Sequence, residues 1–152
     1  MKSSAIVGIL AALATGLAIG IQATFTSRTG GLISDLRTGL LTNVFGGAFA
    51  GLIVLVLVLR QGVTAWRLPP AATVMLVIAG VLGIGIITGV AFSLQRTGVA
   101  AGIATFIAGQ LVISVIVDSK GIGGVDPIPL TPQRVLGLVV MAAAVYLLLP
   151  RR

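Results

Sequence analysis

Apolar residues fill five long blocks of this chain, and polar residues gather in the gaps between them. The blocks cover residues 4–26, 39–59, 71–94, 98–117 and 132–149. Each is close to the roughly 20 helical residues needed to cross a hydrocarbon core about 30 Å thick. None alternates with period two, and each is longer than a membrane strand requires. The pattern predicts helices, which satisfy their own backbone hydrogen bonds in lipid. The expected fold is an all-α integral membrane protein with five transmembrane helices, forming one domain over residues 1–152.

The gaps carry boundary signals. Thr131-Pro132 places a capping hydroxyl before a proline at the first helical position, where a missing N–H costs nothing. Pro150 and Arg151-Arg152 end the fifth block. The gap at 60–70 is polar, with Trp66 as an interface anchor and Pro69-Pro70 as a break. The gap at 119–130 is rich in Gly and Pro. Only residues 95–98 separate the third and fourth blocks, which predicts an antiparallel hairpin. Ser27-Arg28-Thr29-Gly30 recurs 68 residues later as Gln95-Arg96-Thr97-Gly98, and Ala23 coincides with Ala91. In this register each motif is expected to close a helix, the first and the third. The first block, preceded by Lys2, has the look of a signal peptide. It is longer than a typical apolar signal region and four more blocks follow, so a retained helix is expected.

Composition narrows the chemistry. The 152 residues are 57% hydrophobic and 9% charged, against about 25% charged in soluble domains. There is no His and no Cys, so no disulfide, thiol or metal-cluster chemistry and no cofactor is expected. No Ser or Thr has a histidine to act as its base, which argues against an enzyme. The net charge of +7 is spread over single residues, a pattern suited to lipid headgroups and not to nucleic acid.

The positive charges do not choose a side of the membrane. With the N-terminus in the cytoplasm, Lys2, Arg60, Arg67, Lys120 and Arg134 fall inside, and Arg28, Arg37, Arg96, Arg151 and Arg152 fall outside. Orientation normally follows an excess of Lys and Arg in the cytoplasmic loops. Two readings are open. Either a partner or the first helix fixes one topology, or copies insert both ways and pair antiparallel. The second predicts a ten-helix homodimer with a two-fold axis in the membrane plane, reproducing with two chains the inverted repeats of many transporters.

No ionisable residue sits near the centre of a block. Asp35, Asp118 and Asp126 lie at block ends or in gaps, and Asp118 is expected to be solvated or to pair with Lys120 or a loop. The deep polar candidates are the neutral Gln22, Asn43 and Gln110. They either line a substrate cavity or bond helices together. Arg28, Gln95, Arg96 and Asp118 are candidates for a cavity mouth or for headgroup contact. Small-residue pairs at Gly16 and Gly20, Gly47 and Gly51, and Gly85 and Gly89 predict faces where helices approach closely.

These motifs resemble the YdcZ-like small inner-membrane proteins of the drug/metabolite transporter superfamily, over almost the whole chain. The resemblance is carried by Gly20-Ile-Gln22, Arg28-Thr-Gly, Asn43-Val-Phe-Gly-Gly, Ala108-Gly109-Gln110, Ser114, Asp118, and Thr131-Pro-Gln-Arg134 with Gly137. Thr26 stands where such proteins often have Asn, and Asn43-Val44 where they often have Ser-Phe. The related small multidrug-resistance proteins carry a first-helix Glu, which this chain lacks. The resemblance implies a small, dimeric transporter in the inner membrane of a bacterium or archaeon. The leading expectation is a secondary transporter or facilitator of a small polar or amphipathic metabolite. A noncatalytic membrane subunit or assembly factor and a channel or lipid-handling protein are the alternatives.

Overall fold

A helix that must remain hydrogen-bonded in lipid tolerates polar side chains better than it tolerates an open backbone. The computed structural model, described for residues 3–122 and 126–150, follows that rule. Its elements are α1 (Ser3–Ile33), α2 (Asp35–Gln61), a 3₁₀ turn (Val63–Trp66), α3 (Pro70–Thr97), α4 (Val99–Lys120) and α5 (Pro132–Leu148). The first four helices are long and apolar enough to cross a membrane, and α5 is a shorter apolar helix. Its 17 residues rise about 25 Å, slightly less than a typical hydrocarbon core.

The expected gap at 27–38 is helical except at one residue. The polar run from Ser27 to Gly30 does not close α1, which continues to Ile33, and α2 resumes at Asp35. Ser34 alone makes the joint. Its N–H donates to Gly30 O at 3.0 Å, completing α1, and its carbonyl accepts from Thr38 N at 3.0 Å, starting α2. Gly98 repeats the arrangement between α3 and α4, donating to Leu94 O and accepting from Gly102 N, both at 3.0 Å. One residue thus serves as the end of one helix and the start of the next. The structural repeat therefore pairs Ser34 with Gly98. The register that pairs Gly30 with Gly98 is displaced from it by about one helical turn.

These joints share one backbone conformation. Ser34 has φ 86° and ψ 154°, Gly98 φ 81° and ψ 158°, and Gly62, which ends α2, φ 83° and ψ 152°. Only glycine ordinarily occupies this region, because a Cβ crowds the backbone there. Ser34 is the sole non-glycine residue with positive φ among the described residues.

The boundaries of α5 follow the sequence. Thr131 caps it, its hydroxyl accepting from Arg134 N at 3.4 Å, and Pro132 takes the first helical position. Gly121, in the left-handed conformation, ends α4 and donates to Asp118 O.

The chain divides into two compact units, Thr24–Phe92 and Met1–Ala23 with Ser93–Arg152. In the first, α2 packs on α3 at Gly39. A Cβ there would collide with Thr88 Oγ1 and lie 2.9 Å from Ile84 O. One turn further, Asn43 Oδ1 lies against Gly83, 3.0 Å from where a Cβ would be. Beyond this, Gly46, Gly47 and Gly80 face open space. In the second unit, Leu94 packs against Gly102 at the α3–α4 joint, and α5 packs on α4. Burial gathers beside the two one-residue joints, at Ala23, Thr26, Gly30, Thr38 and Gly39, and at Ala91, Leu94, Ala101, Gly102 and Ala104. The apolar stretches 5–19, 44–56 and 73–82 are exposed throughout, as surfaces suited to lipid or a second chain.

Gly16, Gly20, Gly47, Gly51, Gly85 and Gly89 meet no other atom where a Cβ would stand. Close approaches inside the chain are seen at Gly39, Gly83 and Gly102.

Candidate functional site

Neutral amides and hydroxyls are the chemistry available deep along the helices, and several hydroxyls are spent locally. Thr15, Thr38, Thr88 and Thr105 each donate to the carbonyl four residues earlier, at 2.8–2.9 Å. That bond satisfies a Ser or Thr in a helix without a partner element. Asn43 does the same with Nδ2, which donates to Gly39 O at 2.8 Å, while its Oδ1 faces Gly83. Asn43 is half-buried and acts as a spacer between α2 and α3.

Gln22 on α1 and Gln110 on α4 are exposed. Both present a carboxamide, with two donors and an acceptor, to whatever surrounds the helix. Gln95 and Arg96, at the end of α3, line a cleft of about 470 Å³ with the first turn of α4 and with Leu148 and Pro150 at the end of α5. A smaller hollow of about 140 Å³ lies between Ser93, Thr97, Gly102, Thr105 and Phe106. Arg28 is exposed on α1.

Asp118 stands apart from Gln95 and Arg96. It sits in the last turn of α4, about 28 Å along the axis from Val99. Its partner is not Lys120, which is exposed, but Arg134 of α5, whose Nη2 donates to Asp118 Oδ2 at 3.0 Å. The Asp118 carbonyl also accepts from Ile128 N at 2.9 Å, tying the linker to the end of α4. The side chains of Arg134 and Asp118 are 28% and 35% exposed, so solvent screens part of the attraction. The pair fixes where α5 begins relative to the end of α4. Arg134 Nη1 is buried and has no hydrogen-bond partner among the described residues. The residues Thr131 to Arg134 were visible in the sequence as a motif, but the partnership with Asp118 needed the fold to bring residues 118 and 134 together.

Four long apolar helices, with no group of three His, Cys, Asp or Glu placed to hold a metal among the described residues, define a multi-span membrane protein. A family model described as "Putative inner membrane exporter, YdcZ" matches residues 7–147, and the chain belongs to that family, within the drug/metabolite transporter superfamily. Comparison with curated proteins and with solved structures gave no match. The protein is accordingly a multi-pass inner-membrane protein of a transporter family.

Proposed function

We propose that this protein exports a small polar or amphipathic metabolite by alternating access, as an antiparallel homodimer in which residues 1–152 of each copy form one transport domain. The observation that carries the mechanism is the placement of the carboxylates. Asp35 opens α2, Asp118 closes α4, and Asp126 lies in the linker. A proton-coupled exporter commonly holds its shared proton and substrate site on a carboxylate deep in the membrane. With none there, transport relies on neutral groups, and uniport or coupling at the membrane surface fits better than antiport through a buried acid. Gln22, Asn43 and Gln110 are the proposed substrate contacts. Gln95 and Arg96 form a mouth, Arg28 meets substrate or headgroups, and Asp118 serves α5 at the other end of α4. The exposed stretches 44–56 of α2 and 73–82 of α3, beyond their contact at Gly39, support a rocking motion.

A screen for solutes that stabilise the purified protein, followed by liposome uptake, supplies the cargo for the test. Gln110→Ala is then expected to lower uptake about tenfold, the effect of one lost hydrogen bond to the cargo, with dimer yield unchanged. Lost dimers with normal uptake by the remaining ones would instead make Gln110 a contact between helices.

The dimer reading rests on the five-and-five division of Lys and Arg. The open faces at Gly16 and Gly20, Gly47 and Gly51, and Gly85 and Gly89 supply surfaces for close approach of a second copy. A tag on the C-terminus is expected to be reached by impermeant reagent from both sides of the membrane. A population labelled wholly from one side excludes antiparallel pairing of identical chains.

A further inference from the structure

Gln110 combines an unspent amide with a place at the middle of its helix. Thr15, Thr38, Thr88 and Thr105 donate to the carbonyl four residues earlier, and Asn43 donates to Gly39 O. Gln110 and Ser114, one turn apart on α4, are exposed and have no hydrogen-bond partner among the described residues. An amide left unpaired in hydrocarbon is costly, so another group must meet it there.

The position of Gln110 names that group. It is the twelfth of the 22 residues of α4, about 0.8 Å from the midpoint of the helix. A two-fold axis in the membrane plane inverts depth, so a residue meets its own copy only at the middle of a span. Gln22, twentieth of the 31 residues of α1, stands about 6 Å from its helix midpoint. Asn43, ninth of the 27 residues of α2, stands about 7.5 Å from its own. Inversion doubles these offsets to about 12 and 15 Å, against about 1.5 Å for Gln110. Residues equally far before and after Gln110 then come opposite one another, so Phe106 of one copy faces Ser114 of the other. From Val99 to Val117 α4 carries no ionisable side chain, so like charges do not oppose this pairing. A carboxamide has two donors and an acceptor, so two identical ones can grip one molecule from opposite sides.

We propose that the Gln110 amides of two antiparallel copies face each other across the two-fold axis and frame a single cargo site, which neither copy completes alone. The proposal rests on the antiparallel reading and on Gln110 as a substrate contact.

The chain has no Cys, so introduced thiols are the only ones, and the test uses the full chain in liposomes. Direct disulfides fail once Cα atoms are more than about 7 Å apart, so a bifunctional thiol reagent spanning about 10 Å bridges a framed site. Gln110→Cys is expected to give about fivefold more cross-linked dimer than Gln22→Cys or Asn43→Cys, whose thiols are further apart in depth. Phe106→Cys mixed with Ser114→Cys is expected to cross-link about fivefold more than either alone, since each is displaced about 12 Å from its own copy. That mixture also serves if Gln110→Cys does not fold. N-ethylmaleimide, read by intact mass, is expected to stop at about one label per two chains in Gln110→Cys, because the first adduct fills the space the second needs. Gln110→Cys cross-linking no better than Gln22→Cys or Asn43→Cys overturns the proposal. So does Phe106→Cys or Ser114→Cys alone matching their mixture, as a parallel pair requires. Labelling of every chain, or of none, in Gln110→Cys overturns the shared site. If these tests fail while a C-terminal tag is labelled from both sides, this site falls and the antiparallel reading stands. A tag labelled from one side only removes the reading itself. Cross-linking needs no cargo, so the uptake of Gln110→Ala is a separate result.

Discussion

Gly39→Ala is expected to destabilise the protein by about 1–3 kcal/mol, the usual cost of forcing one methyl group into a filled contact. The new Cβ would collide with Thr88 Oγ1 and come within 2.9 Å of Ile84 O and 3.0 Å of Thr88 N. Two of these neighbours are backbone atoms of α3, which cannot swing aside. The third is held by its own bond, Thr88 Oγ1 donating to Ile84 O at 2.8 Å. Relief requires moving α2 away from α3 at Gly39. The measurement is the thermal unfolding midpoint in detergent. Gly47→Ala provides the contrast, because a Cβ there meets nothing in the chain. It is expected to change the stability of the isolated chain by no more than about 0.5 kcal/mol. Equal effects from the two substitutions would show that α2 and α3 do not pack at Gly39.

Ser34→Gly is expected to stabilise the protein, against the usual direction for glycine next to a helix. A non-glycine residue held in this sparsely populated conformation costs about 1–3 kcal/mol. Glycine's extra freedom in the unfolded chain takes back about 0.5–1 kcal/mol, leaving a net gain of up to about 2.5 kcal/mol. The serine side chain offers no compensating cap, since its hydroxyl makes no capping hydrogen bond to α2. The bonds that matter use the backbone. The Ser34 carbonyl accepts from Thr38 N at 3.0 Å and from Thr38 Oγ1 at 2.9 Å, and glycine keeps both. Thermal unfolding followed by circular dichroism reads the change. A midpoint lowered by Ser34→Gly would mean that the hydroxyl has a partner in the membrane or in a second chain.

The joints show where reading the sequence stopped. Residues 27–38 contain Ser27, Arg28, Thr29, Gly30, Ser34, Asp35 and Arg37, a density of polar groups that reads as a loop. All but Ser34 stay helical, because the backbone keeps its bonds while the Arg28 and Arg37 side chains reach outward. Nothing local in Ser34 marks it as the break, and Gly30, the better candidate by residue type, lies inside α1. At α5 the local signal was sufficient. Thr131 and Pro132 act on their own backbone, so the cap formed where the residues placed it. The candidate site divides the same way. Gln22, Asn43 and Gln110 stand out in sequence as polar residues in apolar blocks. That Asn43 spends its amide on Gly39 and its oxygen against Gly83 depends on the register of α2 on α3.

By itself, the sequence determined that this is a helical membrane protein whose three carboxylates lie outside the centres of its apolar runs. Those properties follow from composition and from the length of apolar runs, which no packing arrangement alters. The tertiary structure decided where Gly39 and Gly102 are tight, which single residue joins each pair of consecutive helices, and that Asp118 answers to Arg134. Each of these depends on which atoms meet across helices. In a chain where Gly and Ala recur on every helix, spacing alone does not distinguish the face that meets a neighbour from the face left open.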